Sequence, residues 1–419
     1  MHPNALLELA TDLLHQVLQF QAPADRVVSD FFRQNRALGN RERQTLAETT
    51  YHVLRQRALY QHLAQSGKGE MARRLVLLGW QGNEGFLRAA MSPQEQQWLD
   101  QVRQVDVGAL PAKLRHNLPE WLAEPLEAAL GDQFWPLVDS LNRPAPLDLR
   151  VNTFKARRDE VQAGLKAAGI DAEPTPHSPW GLRVDGKPAL QKADPFTQGQ
   201  VEVQDEGSQL LALLADAKRG EMVVDFCAGA GGKTLALGAS MRNTGRLYAF
   251  DTSGHRLAAL KPRLARSGLS NVYPIQIAHE RDDRIKRLAG KIDRVLVDAP
   301  CSGLGTLRRN PDMKWRQSPE SVAELQAKQA AILESAARLL KPGGRLVYAT
   351  CSLLDVENEG IAQAFSAAHE RDFAVVPAAE ALQKAHAGGA DDLVRGDYLR
   401  LWPHRHGTDG FFAAVWERR

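Results

Sequence analysis

Residues 221–240, EMVVDFCAGAGGKTLALGAS, decide how the rest of this chain is read. A short apolar run of strand-forming residues ends in glycines at 229, 231 and 232, and small helix-forming residues follow. Strand, glycine turn and helix together let backbone amides and a helix N-terminus approach a ligand closely. The same alternation continues downstream. GRLYAFD (245–251) precedes HRLAALKPRLARSG (255–268), and NVYPIQI (271–277) and IDRVLVDAP (292–300) come next. An amphipathic stretch over 318–340 opens with Ser318 and Pro319, which suit a cap and a first turn. GGRLVYATCS (343–352) and FFAAVWER (411–418) complete the series. Strands alternating with helices predict an α/β fold, a doubly wound and mainly parallel sheet, over 206–419. Ligands of such sheets bind at the carboxyl ends of the strands.

Three ligands compete for the loop DFCAGAGGKT (225–234). A nucleoside-triphosphate P-loop fits Gly232-Lys233-Thr234, but its leading glycine position holds Cys227. A dinucleotide fingerprint fits Gly229 and Gly231 and then meets Thr234. The third is S-adenosylmethionine, with its methionine end along Cys227, Ala228, Gly229, Ala230, Gly231, Gly232 and Lys233. Its ribose hydroxyls would be held by an acidic residue closing the second strand. Asp251 stands there, 26 residues after Asp225.

Upstream the pattern changes twice. Residues 147–205 hold short alternating segments (LDLRVNTF, WGLRVDG, GQVEVQD) around one helical stretch, so 141–205 reads as a small α+β module. Residues 1–140 repeat apolar positions at three and four, as in ALLELATDLLHQVLQF, and read as helices. The start has no basic segment ahead of its apolar residues, and no run of about 18 apolar residues occurs. The expectation is a cytoplasmic protein, neither exported nor membrane-spanning. Three cysteines without a CxxC pair argue against a disulfide framework and against a metal site. Residues 1–140 hold 14 Lys and Arg against 16 Asp and Glu, leaving 39 against 34 for the rest, a mild basic bias that a nucleic-acid partner would suit. TLRRNPDMKWRQ (306–317) concentrates that charge.

Two of the cysteines lie at strand ends. Cys301 follows Asp298-Ala-Pro, and Cys351 ends RLVYATC. Buried free cysteine is usually a packing residue, yet both stretches enter polar turns on the side of the sheet where chemistry is expected.

Taken together, DFCAGAGGKT, FDTS, DRVLVDAPCSGLGTLRRNPDMKW and GGRLVYATCSLLDVEN resemble the RNA cytosine-5 methyltransferases, most closely the RsmB/Sun branch acting on small-subunit (16S) ribosomal RNA. The helical region 1–140 is similar to that branch's NusB-like RNA-binding domain. The resemblance implies a Rossmann-like catalytic domain over 206–419, S-adenosylmethionine as cofactor, and RNA as partner to an expected monomer. It further implies Cys351 as nucleophile, Cys301 as releasing group, Asp298 against the cytosine edge, and Lys233 orienting Asp298. A helix after Cys351, starting in DVENEG, would favour its thiolate. Two departures stand out. The family has Ala-Pro where this loop has Gly229-Ala230, and its acidic residue after the third strand is His279 here, with Glu280 beside it. Arg150, Asn152, Arg308 and Arg309 are expected to touch the RNA backbone. The alternatives are a DNA cytosine-5 methyltransferase, suggested by Pro300-Cys301, and an inactive RNA scaffold that binds S-adenosylmethionine.

Overall fold

The computed structural model describes residues 1–186 and 188–419. It forms two compact units, Met1–Pro144 with Thr306–Pro319, and Ala145–Gly305 with Glu320–Arg419.

The first unit is helical. Helices Pro3–Val17, Asn40–Arg55 and Met71–Gly79 turn Leu7, Leu14, Leu46, Leu54, Leu75 and Val76 into one core, as the three-and-four spacing requires. Residues 306–319, assigned from sequence to the catalytic domain, belong to this unit. Trp315 Nε1 donates to the Leu54 carbonyl and Lys314 Nζ to that of Arg55, both at 3.0 Å. Asp312 accepts from the Ala24 amide at 3.1 Å, and Arg55 donates to the Arg308 carbonyl at 2.8 Å. The sequence pointed to phosphate contact along this basic stretch, yet Arg308 and Lys314 are buried.

In the second unit a small antiparallel sheet precedes a large one. Strands β1 (Leu147–Val151), β2 (Ala172–Pro174), β3 (Gly181–Val184) and β4 (Val201–Val203) take the order β2-β3-β1-β4. Helix Arg158–Ala167 covers one face, packing Val161 and Leu165 on Leu149, Val151, Leu182 and Val201.

The large sheet contains β5 (Met222–Asp225), β6 (Arg246–Asp251), β7 (Val272–Gln276), β8 (Ile292–Asp298) and β9 (Leu340–Thr350), parallel in the order β7-β6-β5-β8-β9. Antiparallel strands extend it past β9: β10 (Phe373–Val375), β11 (Val394–Arg395), β12 (Tyr398–Leu401) and β13 (Phe411–Arg418). Buried apolar side chains lie on both faces, Val223, Leu247, Leu296 and Val347 on one and Val224, Phe250, Val295 and Leu346 on the other. That is why these strands read as apolar runs rather than as alternation. The order reverses between β5 and β8, the switch point where such sheets hold ligands. Among the described residues no helix is long and apolar enough to cross a membrane.

Candidate active site

Register brings the singled-out residues to one edge. Asp225 pairs with Ala249 on β6 and with Leu296 on β8, so Asp251 and Asp298 each lie two residues beyond it. Asp298 pairs in turn with Ala349, which puts Cys351 two residues further along β9. Four neighbouring strands therefore release their chemistry at one height.

The glycine loop is built for close approach. Gly229 and Gly231 have φ of 55° and 82°, left-handed values that disfavour other residues. A Cβ at Gly231 would strike Leu260, whereas one at Gly229 would enter open space. Not every loop amide is available, however. Ala228 donates to the Phe250 carbonyl, Gly231 to that of Ala228, and Gly229 to Asp251 Oδ2, each at 2.8 Å. Amides in the first turn of helix Gly232–Ser240 have no intrahelical acceptor, so anion binding falls to them rather than to the whole loop. Arg263 donates to the Ala230 carbonyl at 2.7 Å and ties the loop to helix Gly254–Ser267.

Asp251 is nearly buried, with Oδ1 accepting from the Ser253 amide at 2.7 Å and Oδ2 from Gly229. A carboxylate has about four acceptor sites, so each oxygen keeps one for a ligand hydroxyl. Asp225 is fully buried. One oxygen accepts from Thr234 Oγ1 at 2.6 Å, the other has no partner, and burial pushes its pKa up to about 7. A vacant acceptor, an open glycine cradle and a carboxylate with two spare sites fit the ammonium and ribose groups of S-adenosylmethionine. Cys227 packs half-buried against the core, where burial holds its thiol well above the usual range, so it suits packing rather than catalysis.

His279 is exposed, and its Nδ1 accepts from the Arg281 amide at 3.1 Å, while Glu280 pairs with Arg281 at 3.6 Å. Asp282, not singled out from sequence, is the acid fixed after β7, accepting from the Ala278 and Arg284 amides at 2.9 Å.

Across the switch point, Lys233 Nζ donates to Asp298 Oδ2 at 2.7 Å. Burial opposes the lysine charge, and the Asp298 carboxylate more than offsets it, leaving Lys233 above its ordinary pKa. Cys301 Sγ and Cys351 Sγ lie 3.4 Å apart. The hydrogen bond to Cys351, followed by burial, holds Cys301 well above the usual thiol range, and either sulfur can donate in that contact.

Glu357, missed from sequence, locks the two cysteine loops together. This fully buried carboxylate accepts from the Ser302 amide at 2.9 Å, from the Ser302 hydroxyl at 2.5 Å and from the Ser352 hydroxyl. Gln329 bridges Glu357 and the Pro300 carbonyl. Gly305 donates to the Cys351 carbonyl at 2.8 Å, and a Cβ there would collide with Gly410 O at 2.0 Å. The helix expected to start in DVENEG begins at Glu359, and Glu357 and Asn358 ahead of it turn back to hold the loop.

The RNA contacts expected at Arg150 and Asn152 need correction. Arg150 is buried, with Nε donating to Gln204 at 2.6 Å, and Asn152 Nδ2 is spent on the Gly199 and Ser267 carbonyls. Arg308 is likewise buried, and Arg309 is half-buried. Arg150 and Asn152 therefore present no open guanidinium or amide to a phosphate. Among the described residues no group of His, Cys, Asp or Glu is placed to hold a metal ion.

Comparison with known proteins bears on this geometry. Residues 212–417 match the family model of the 16S rRNA methyltransferase RsmB/F, and residues 118–191 match the ferredoxin-like domain of RsmF/B-like methyltransferases. A Synechocystis protein named probable ribosomal RNA small subunit methyltransferase B is 35% identical over 334 residues, 79% of this chain and 72% of that one. The chain belongs to the RsmB/F methyltransferase family. Its Bacillus subtilis relative of the same name is 30% identical over 416 residues, 96% of this chain and 89% of that protein. A crystal structure of a methyltransferase homolog from Pyrococcus horikoshii aligns at TM-score 0.63 and 27% identity, over 75% of this chain and all of that one. Membership makes this a methyltransferase that uses S-adenosylmethionine.

Proposed function

We propose that this protein methylates C5 of a cytidine in small-subunit (16S) rRNA through a covalent bond between Cys351 and cytosine C6. The observation that carries the reading is the contact of Cys301 and Cys351 at 3.4 Å, on strands adjoining the Lys233–Asp298 pair. Two thiols in contact beside a fixed carboxylate suit addition followed by elimination, which a single thiol would serve less well.

C5 of cytosine is a poor nucleophile until a thiolate adds to C6. Cys351 forms that S–C6 bond, and the ring takes a proton at N3, passed from Cys301 by way of Asp298. Asp298 accepts from the exocyclic amino group, and Lys233 fixes its orientation. When bound, S-adenosylmethionine supplies an electrophilic methyl group on a sulfonium. C5, now enamine-like, takes the methyl group. Cys301 then removes the C5 proton, the S–C6 bond breaks, the 5,6 double bond returns and Cys351 leaves as thiolate. N3 gives its proton to solvent. To enter such a pocket the base must leave any stack.

The test is to incubate Cys301→Ala and Cys351→Ala with 16S rRNA and S-adenosylmethionine and to resolve the products on denaturing gels. Cys301→Ala should accumulate a protein–RNA adduct, its turnover reduced by about 10²–10⁴ for a lost acid–base group. Cys351→Ala should give neither adduct nor product. The reverse pattern assigns attack to Cys301. Transfer into DNA rather than RNA would favour the DNA-enzyme alternative.

A further inference from the structure

The small module carries an open cleft of about 600 Å³, within the roughly 300–1,000 Å³ typical of ligand clefts. Two aromatic side chains line it. Phe154 is 37% exposed on the turn after β1, and Trp180, just before β3, is half-buried. Among the described residues neither ring stacks on another aromatic side chain. Asn152 Oδ1 accepts from the Phe154 amide at 3.2 Å and fixes the turn that presents the ring.

Four cations surround these rings: Lys155, Arg157, Arg158 and Arg242. Arg157 pairs with Asp159 at 3.1 Å. The other three have no carboxylate within ion-pairing distance among the described residues. Carbonyls aim them instead. Arg158 donates to Ser178 O at 3.3 Å, and Arg242 to Thr153 O at 2.6 Å. Each guanidinium has five N–H donors, so most remain for a ligand. Arg242 adopts φ of 54°, a left-handed turn unusual for a side chain of this size. Helix Arg158–Ala167 begins at the cleft and adds its positive dipole end, where Glu160 already accepts from the Arg157 amide.

We propose that this cleft binds an unpaired nucleotide of the RNA substrate, its base against Phe154 and Trp180 and its phosphate against Arg158 and Arg242. The inference rests on the RNA-substrate reading above and adds a second point of attachment on the same unit. Aromatic faces interleaved with cations are what single strands use, because a duplex hides its base faces. The cleft therefore selects RNA by strandedness.

Anisotropy titrations of the full-length protein test it, with a fluorescein-labelled single-stranded oligoribonucleotide and the same strand annealed to its complement. Phe154→Ala should weaken single-strand binding by about 5- to 150-fold, the range of one lost base stack, with an unchanged salt slope. Phe154→Trp should restore it. Arg158→Gln should flatten the slope of log affinity against log salt by about 0.7, the value for one phosphate on a single strand. Duplex binding should not change, and S-adenosylmethionine affinity should match wild type in every variant. Undiminished single-strand binding by Phe154→Ala, or an equal loss for duplex, overturns the inference. If wild type methylates RNA normally while Phe154→Ala does too, only the cleft is refuted. If wild type methylates no RNA, the proposed function itself falls.

Discussion

Replacing Asp251 tests whether the end of β6 holds the cofactor's ribose. Its two oxygens already accept from Ser253 and Gly229 at 2.7 and 2.8 Å, leaving one acceptor site on each. Two vicinal hydroxyls would fill both. Hydrogen bonds to a charged group contribute about 1.5–3 kcal/mol each, and water competes for the same sites in the free protein. A net loss of about 3 kcal/mol for Asp251→Ala is therefore expected, about 150-fold in Kd. The same substitution frees the Gly229 amide and loosens the loop, which would weaken any ligand lying along it. Isothermal titration with S-adenosylmethionine and with its 2′,3′-dideoxy analogue separates the two effects. Loss through the loop appears with both ligands; loss through the hydroxyls appears only with the parent. Wild type should prefer the parent strongly, and Asp251→Ala should bind the two alike. Equal losses for both ligands, or a loss under about threefold for the parent, would refute the ribose contact.

Glu357→Gln keeps the shape of the buried side chain but sets an amide donor against the hydroxyls and amide of Ser302 and Ser352. Stability should fall by about 2–3 kcal/mol in urea, and kcat should fall while cofactor affinity holds, since the cysteine loops and not the glycine loop lose their lock. Lys314 is buried among Arg55 and Arg57, and burial followed by those like charges brings its pKa down to about 7. Its folded value lies below the unfolded one, so between about pH 7 and 10 the unfolded chain binds the extra proton and stability rises with pH. Lys314→Met should thus stabilise the helical unit most at or below pH 7. That advantage should shrink by roughly 2 kcal/mol by pH 9, and a thermal-melting difference independent of pH would contradict it.

The sheet could be read from sequence because burial on both faces leaves short apolar runs, such as Val223–Val224, Leu247–Phe250 and Val295–Val297, a pattern that survives without tertiary information. Asp251 and Asp298 were legible for a related reason: each is the first polar residue after such a run. Arg150 was not, since a polar residue on an alternating strand reads as outward-facing, yet its guanidinium turns inward to Gln204. Residues 306–319 misled for the same cause. Their Arg, Lys and Asp read as solvent-facing, but backbone carbonyls of the helical unit, at Leu54 and Arg55, satisfy the Trp315 and Lys314 donors. Glu357 lay hidden in a polar turn. Nothing local distinguishes a carboxylate facing water from one that four buried donors satisfy.

Strand register explains why two cysteines fifty positions apart can act as one unit. β8 and β9 are adjacent and parallel, with Asp298 level with Ala349, so any residue shortly after the one falls beside a residue shortly after the other. Adjacent strands stand about 4.8 Å apart, and two side chains leaning together close that gap to the observed 3.4 Å between sulfurs. An antiparallel partner could not do this, because its corresponding end would lie at the opposite edge. β13 is such a partner to β9, and it brings only its first residues near the site, with Phe411 placing its ring 5.9 Å from Lys233 Nζ. Glu357 then removes the remaining freedom. By holding Ser302 and Ser352 at once it fixes the residues immediately after each cysteine, and the thiol pair inherits its geometry from a carboxylate that itself needs no contact with the substrate.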